Sequence, residues 1–248
     1  MKKLCVLLIS VFIFFQSMSQ SGQFGLQISP LTTIVSKNNV SYSSDVNLKP
    51  DLNFSTLSVG YKIGINYSYM FKNNWALTPS FSYSMLPFSF KQNFSNNTGI
   101  SSFGEKLRYG SFELSLVGNK YFKINDNLLF GVKLGVGYAS NNLMSISTSG
   151  FAMGNSSDSF SEISTANWDS KRTFTPRIIA GLSLTKITKN NRRFEFAITY
   201  NHSFNQVSPY TMDRTINSKR YVATLSPALS SLNFEFTYYF KPFNCRKK

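Results

Sequence analysis

Histidine, cysteine and acidic residues are scarce in this chain of 248 residues, which has one histidine, two cysteines and 11 aspartates and glutamates. A structural or catalytic metal site needs three or four such ligands together, so we predict no metal-binding residues and no cofactor. Charged residues make up 15% of the chain, whereas soluble domains average about 25%. The mean hydropathy of −0.14 excludes a helical membrane protein with many apolar spans.

Aromatic residues, by contrast, are abundant, with 24 phenylalanines and 13 tyrosines. Many aromatic side chains combined with little charge argue against disorder. Lysine and arginine outnumber the acidic residues 26 to 11, which gives a net charge of +15. In a soluble protein such an excess suggests nucleic-acid binding. The export signal and the strand pattern described next argue against a nucleic-acid partner here.

The first 19 residues have the features of a secretory signal peptide. Two lysines precede an apolar run over residues 6–15, and small residues lead up to Ser19. We expect cleavage after Ser19, because the run is shorter than the about 20 residues of a transmembrane helix; a retained anchor is the alternative. The mature chain is then one domain over residues 20–248, and with Cys245 alone it forms no internal disulfide.

Alternation with a period of two predicts β-strands along the mature chain. From Leu57 to Phe71 the odd positions are large and apolar or aromatic, while the even positions are mostly glycine, serine, lysine or asparagine. Successive strand residues face opposite sides, so each strand has one apolar face and one small or polar face. The eight predicted strands are 23–34, 55–71, 75–90, 107–122, 128–140, 173–187, 194–207 and 226–240.

The connections between these strands alternate in length. The second, fourth and sixth strands are followed by short turns. The long, polar connections cover residues 35–54, 91–106, 141–172 and 208–225. Short turns on one side, long loops on the other and an even strand number are typical of bacterial outer-membrane barrels. We therefore predict an all-β fold, an eight-stranded antiparallel transmembrane β-barrel with short periplasmic turns, long extracellular loops and both termini in the periplasm.

A soluble eight-stranded barrel with its apolar face inside is the alternative to a membrane barrel. The size of the side chains favours the membrane barrel, because Phe and Tyr would crowd a narrow lumen and need no fitting against lipid. Tyrosine and tryptophan also suit the two membrane interfaces. The residues expected in two aromatic girdles are Trp75, Tyr69 and Phe71 near a short turn and Tyr200, Phe204 and Phe88 near long loops.

Six charged residues fall on the small, polar faces and are predicted to point into the lumen: Lys62, Lys133, Arg177, Glu113, Glu195 and Glu235. We expect them to form ion pairs, because an unpaired buried charge is costly. The pairs either plug the lumen or gate a constriction for solutes, and the narrowness of an eight-stranded barrel favours the plug. Most other basic residues, Arg193 among them, are predicted at the two water-facing rims, where they can contact lipid phosphates.

Only one neighbouring pair of residues suggests catalysis, namely His202 and Ser203. Adjacent residues of a strand face opposite sides, so the imidazole cannot activate that serine. The chain also lacks a phosphate-binding glycine loop between a strand and a helix. We therefore predict no catalytic or cofactor-binding residues and a non-enzymatic protein.

The alternating strands and the closing segment Leu232-Asn-Phe-Glu-Phe-Thr-Tyr-Tyr-Phe240 resemble those of small outer-membrane barrels of the PorT-like family. In size the chain is similar to the OmpA and OmpX barrels. The resemblance extends over the whole mature chain. It implies a location in the bacterial outer membrane, surrounded by outer-membrane lipids, and a last strand that the barrel-assembly machinery reads at its final aromatic residue.

The leading hypothesis is a non-enzymatic outer-membrane barrel that displays its extracellular loops and has a structural, partner-binding or secretion-associated role. Its partner would be an envelope or extracellular protein. A narrow, porin-like solute channel is the first alternative. A lipid-modifying enzyme that depends on His202 is the second.

Overall fold

A computed structural model describes residues 21–44, 51–54, 58–96, 99–154, 163–168, 173–207, 209–216 and 219–241. The predicted signal peptide over residues 1–19 and Cys245 lie outside the described residues. The strands are β1 (Ser21–Ser44), β2 (Asp51–Phe54), β3 (Ser58–Met70), β4 (Trp75–Asn96), β5 (Gly99–Asn125), β6 (Leu128–Gly154), β7 (Ile163–Trp168), β8 (Thr173–Ile187), β9 (Arg193–Ser203), β10 (Tyr210–Ile216) and β11 (Lys219–Tyr239). Among these described residues, no helix is long and apolar enough to cross a membrane.

Eight of the strands form a closed antiparallel ring in the order β1, β3, β4, β5, β6, β8, β9 and β11. The ring closes because β11 pairs with β1, in a register that runs from Gly25 opposite Tyr239 to Ser44 opposite Tyr221. Closure removes the unpaired edges that an open sheet would expose. The predicted eight-stranded antiparallel barrel is thereby confirmed.

The three short connections lie at one end of the ring, which we call the turn end. They are a single 3-10 turn at Lys72–Asn74, a two-residue turn at Asp126 and Asn127, and the segment 188–192. Asn73, Asn74 and Asn191 have positive φ angles of 63°, 59° and 58°, a conformation that asparagine tolerates better than most residues. The predicted short turns are therefore present.

At the opposite end, which we call the extension end, the strands continue well into the predicted long loops. β4 and β5 remain paired as far as Asn96 and Gly99, and β5 and β6 as far as Gly154. The prediction of loops was wrong for the described residues of all four long connections, since strands occupy parts of 35–54, 91–106, 141–172 and 208–225. These segments are rich in Ser, Asn and Gly, which have low strand propensity, and pairing with the neighbouring strand overrides that preference.

Beyond the ring, the extension divides into two sheets. One consists of β2, β4, β5 and β6, and the other of β1, β11, β10 and β7. No strand pairing joins the two sheets among the residues that the structure describes, since the pairing of β3 with β4 ends at Tyr61 and that of β6 with β8 ends at Asn141.

The chemistry of the inner face changes along the barrel axis. On β4 the inward residues Ser82 and Ser84 are followed by Leu86, Phe88 and Phe90, all of them buried. Within the extension, the inward residues form an apolar core of Leu31, Leu86, Phe88, Phe90, Leu107, Tyr109, Leu143, Val207, Tyr210, Ala223, Leu225 and Leu229. The extension is therefore packed like a soluble protein, with its apolar side chains inside.

Two of the predicted girdle positions are wrong as a result of packing. Phe88 is 1% exposed because it lies within the extension core, and Tyr69 is buried beside Tyr67, with ring centroids 4.5 Å apart. Trp75, Tyr200 and Phe204 are exposed on the outside of the ring, as predicted.

Candidate functional site in the barrel lumen

The inward faces of six ring strands carry the six charged residues predicted for the lumen, and all six are buried. β3, β5 and β8 hold Lys62, Glu113 and Arg177, while β6, β9 and β11 hold Lys133, Glu195 and Glu235. Each residue alternates with large apolar neighbours that face outward, so the period-two pattern sets the direction of each charged side chain. The structure groups the six residues into two clusters.

In the first cluster, one carboxylate bridges two bases. The Glu113 Oε1 atom lies 3.0 Å from Lys62 Nζ, and its Oε2 atom lies 2.8 Å from Arg177 Nη1. Arg177 Nη2 also donates to Asn141 Oδ1 at 3.2 Å, and Asn141 in turn donates to Thr175 Oγ1 at 2.8 Å. With one acid and two bases, this cluster carries a formal charge of +1.

In the second cluster, one lysine bridges two carboxylates. Lys133 Nζ lies 2.5 Å from Glu195 Oε1 and 3.4 Å from Glu235 Oε2. Glu195 Oε2 accepts hydrogen bonds from the Tyr121 hydroxyl at 2.8 Å and from Thr185 Oγ1 at 3.2 Å. Glu235 Oε1 accepts one from Thr199 Oγ1 at 2.9 Å. Two acids and one base give a formal charge of −1, which balances the first cluster.

A small polar cavity lies between the two clusters, with a volume of about 30 Å³. Its lining includes Lys62 from the first cluster, Lys133 and Glu235 from the second, and the amides of Gln27 and Asn66. Such a volume holds about one or two water molecules. It is far too small for a sugar.

Arg193 is a lumen residue that the sequence prediction placed wrongly, at the rim of the turn end. It is 2% exposed, and its Nη2 donates to Ser68 Oγ at 3.0 Å. Its guanidinium carbon lies 4.2 Å from the ring centroid of Tyr239 and 5.8 Å from that of Tyr121, which are cation–π distances. Arg193 shares strand parity with Glu195 and precedes the outward Phe194, and this signal could have identified it.

The charge of the described inner surface changes accordingly. Arg193 adds a fourth base, and Glu105, in a segment predicted as a loop, is a fourth acid that is buried on the inner face. The expected balance of three bases against three acids becomes four against four. The charges on the described inner surface therefore balance. Charged or aromatic side chains project into the lumen at several heights along the barrel axis.

Outside the lumen, the turn end carries exposed charge. Lys123 and Asp126 form an ion pair at 2.5 Å in the turn between β5 and β6. The Lys123 ammonium holds the pKa of the Asp126 carboxyl below its ordinary value through a hydrogen bond and charge attraction. Lys120 Nζ lies 5.1 Å from the centroid of the Trp75 ring and donates to the Asn73 carbonyl at 2.7 Å.

The two residues considered for catalysis face opposite sides of β9. His202 Nδ1 is 3.4 Å from the Tyr200 hydroxyl, and the His202 ring packs edge-on against Phe204 on the outside. Ser203 is buried and donates to the Asn205 carbonyl at 3.2 Å. In the described part of the chain there is no group of three or more His, Cys, Asp or Glu residues that could hold a metal ion.

No family model and no curated protein match the chain. Among solved structures, the outer membrane protein OprG from Pseudomonas aeruginosa is similar at 12% identity and a TM-score of 0.37, covering 90% of this chain and 98% of its own. Neisserial surface protein A is similar at 11% identity and a TM-score of 0.38, covering 88% and 96%. Ail of Yersinia pestis is similar at 13% identity and a TM-score of 0.34, covering 90% and 100%. Because these similarities are distant, we base the assignments below on the residues of this chain.

Proposed function

We propose that this protein is a bacterial outer-membrane barrel whose lumen is plugged and which presents its strand extension to a protein partner. The observation that carries the proposal is a belt of exposed apolar side chains around the whole ring. It includes Ile28, Ile63, Phe81, Leu114, Leu134, Leu182, Ile198 and Phe236. In water, so large a continuous apolar surface would be exceptional for a monomeric protein.

The height of the belt suits a bilayer. On β6 it extends from Leu128 to Tyr138, and ten residue steps along a strand tilted by about 40° rise about 25 Å. That is the usual height of the apolar band on outer-membrane barrels. The charged residues at outward positions of the described ring strands lie at its two margins, with Lys120 and Lys186 at the turn end and Arg108 and Lys106 at the extension end.

The general architecture of outer-membrane barrels also supports an orientation of this barrel across the membrane. In outer-membrane barrels the short turns face the periplasm and the long connections face outward. The turn end of this barrel, with both termini and the site of signal cleavage after Ser19, would thus be periplasmic. The barrel-assembly machinery would recognise the last strand by the aromatic residue at its end, Phe240. Outer-membrane lipids would surround the belt.

The plug is supported by the contents of the lumen. The two ion-pair clusters fill its middle, Arg193 between Tyr121 and Tyr239 closes the turn end, and the apolar core fills the extension end. The protein would therefore act as a non-enzymatic anchor rather than a channel. Its two-sheet extension would bind an envelope or extracellular protein, in a structural or secretion-associated role.

The membrane location is tested by fractionating cells and running the outer-membrane fraction on gels with and without heating. A folded barrel should migrate faster unheated than heated. A protein that is soluble in the periplasm and shows no mobility shift would overturn the proposal.

The plug is tested by liposome swelling with small sugars, with protein-free liposomes and liposomes containing an open porin as the two references. We expect rates equal to those of the protein-free liposomes for every sugar. Swelling that falls with sugar size would instead establish the narrow channel.

A further inference from the structure

A groove on the outside of the barrel lies between the apolar belt and the extension. It has a volume of about 370 Å³ and is lined by Tyr83, Gly110, Phe112, Ser140, Asn142 and Met144. We call it the Gly110 groove. A β-bulge shapes it, because the pairing of β5 with β6 shifts by one residue between Arg108 and Tyr109 and leaves Met144 as an extra residue that is turned outward.

The central outward position of the Gly110 groove has no side chain of its own, so that the side chain of a neighbouring residue covers it. The Met144 thioether lies over Gly110, and the Tyr83 hydroxyl donates to its Sδ atom at 3.0 Å. Tyr83 and Phe112 form an aromatic wall, with ring centroids 5.0 Å apart. The groove thus offers a deformable apolar surface at the margin of the proposed membrane, where the acyl chain of a lipid would pack.

One polar atom in the groove lacks a partner. The Oδ1 atom of Asn142 is buried and accepts no hydrogen bond from the described residues. An unsatisfied buried acceptor is costly, so a bound molecule would be stabilised if the Asn142 amide turned toward it and accepted a hydroxyl or amide hydrogen.

Positive charge lies directly beyond the groove. Arg108 and Lys106 are exposed at the next two outward positions of β5, about 7 and 14 Å from Gly110 along the strand. Lys91, on the neighbouring strand, is also exposed. Of the carboxylates whose side chains the structure describes, only Asp126 is exposed, and it lies at the turn end. The described surface therefore has no carboxylate that offsets these cations.

We propose that the Gly110 groove is a binding site for one lipid of the surrounding leaflet that has a phosphate, a net negative charge and a hydroxyl or amide in its headgroup. Arg108 and Lys106 hold the phosphate, Asn142 accepts a hydrogen bond from a headgroup hydroxyl or amide, and an acyl chain lies along Tyr83 and Phe112. Arginine suits this role because its guanidinium donates two parallel hydrogen bonds to a phosphate. The assignment rests on the proposed position of the barrel in a membrane.

The site is tested by native mass spectrometry of the full-length barrel in detergent, titrated with dioleoyl phosphatidylglycerol or dioleoyl phosphatidylcholine. We expect one phosphatidylglycerol to be retained in preference to phosphatidylcholine. Arg108→Gln and Lys106→Gln should each weaken its binding about fivefold, the effect of one cation at an anionic membrane surface. The matched control Lys189→Gln, which removes an exposed cation in a turn at the other end, should leave binding unchanged.

A second variant fills the groove without changing its charge. Gly110→Val is compatible with the strand, because no described glycine has a positive φ and the displaced group is the flexible end of Met144. We expect it to lose the retained phosphatidylglycerol while keeping the gel-mobility shift of a folded barrel. Inorganic phosphate at the same concentration should not displace the lipid.

Equal binding of the two lipids, or unchanged binding in both Arg108→Gln and Gly110→Val, would overturn the lipid site. Displacement by inorganic phosphate would also overturn it, in favour of a simple anion site. None of these results affects the proposed membrane location. That location fails only if the wild-type protein shows no heat-dependent mobility and fractionates with soluble proteins.

Discussion

Replacement of Glu113 by glutamine tests whether the lumen clusters stabilise the barrel. Among the carboxylates whose side chains the structure describes, Glu113 alone lies within ion-pair distance of both Lys62 and Arg177, at 3.0 and 2.8 Å, and the side chains of all three are at most 6% exposed. Glutamine keeps the volume and one acceptor oxygen but leaves two buried cations without a counter-charge. Removing one partner of a buried ion pair costs about 3–5 kcal/mol.

The measurement is urea unfolding of the full-length protein in lipid micelles, followed by tryptophan fluorescence. For a slope of about 2 kcal/mol/M, the expected loss lowers the midpoint by about 2 M. The matched control is Asp126→Asn, the same change at an ion pair whose carboxylate is 89% exposed, and it should leave the midpoint unchanged. Adding Lys62→Met to Glu113→Gln removes one of the unpaired cations and should restore part of the loss.

The same variants separate a plug from a gate. Arg193 and the extension core close the two ends independently of Glu113, so Glu113→Gln should be less stable yet remain non-conducting in planar bilayers. Two results would refute the reasoning: a midpoint equal to that of Asp126→Asn, or a large conductance in Glu113→Gln.

Three further substitutions test other parts of the structure in the same unfolding assay. Arg193→Met should lower the free energy of unfolding by about 1–3 kcal/mol, because it removes the hydrogen bond to Ser68 and the cation–π contacts; no loss would show that the turn end is not closed by this residue. Gly135→Ala should lower the free energy of unfolding by about 1–3 kcal/mol, since its Cβ would lie 2.6 Å from the Leu116 carbonyl oxygen. The control Gly137→Ala on the same face has no neighbour nearer than 3.5 Å and should be neutral. Equal effects of the two substitutions would contradict the close approach of the strands at Gly135. Phe88→Ala should lower the free energy of unfolding by about 3–5 kcal/mol, because it opens a cavity in the extension core. Leu114→Ala, at a belt residue that is 63% exposed, should lower it much less. A larger loss for Leu114→Ala than for Phe88→Ala would place the apolar face of the extension outside.

The ring could be predicted from the sequence because the connection lengths and the even strand number indicate a barrel, and the direction of its side chains follows from local alternation. Lys62 and Glu113 each lie between two large apolar neighbours, and Arg177 precedes the outward Ile178, and this pattern is sufficient to point them inward. Their assignment to partners was not predictable. It depends on the register between strands, and a one-residue slip would have turned each of them outward.

Two errors concern residues that point inward, Phe88 and Arg193. The inward face of β4 changes from Ser84 to Leu86 without a change in strand parity, so parity places Phe88 inside although its aromatic character suggested the outside. With the barrel in its proposed membrane position, the surroundings change from lipid to water at that height, and apolar side chains then belong inside. Arg193 was misplaced for a different reason, namely that its position after a basic turn suggested a rim residue although its strand parity indicated the lumen.

The pairing of β1 with β11 has a consequence for the assembly of the protein. All other ring pairs join strands that are near neighbours in the chain and can form as hairpins, but this pair encloses almost the entire chain. Loop-closure entropy and the dependence of folding rate on sequence separation make it the last contact to form. Until it forms, the backbone groups of two strand edges have no partners, and lipid supplies none. For a barrel in the proposed membrane location, insertion as separate stable hairpins is therefore disfavoured, and we expect the first and last strands to pair with each other late in assembly.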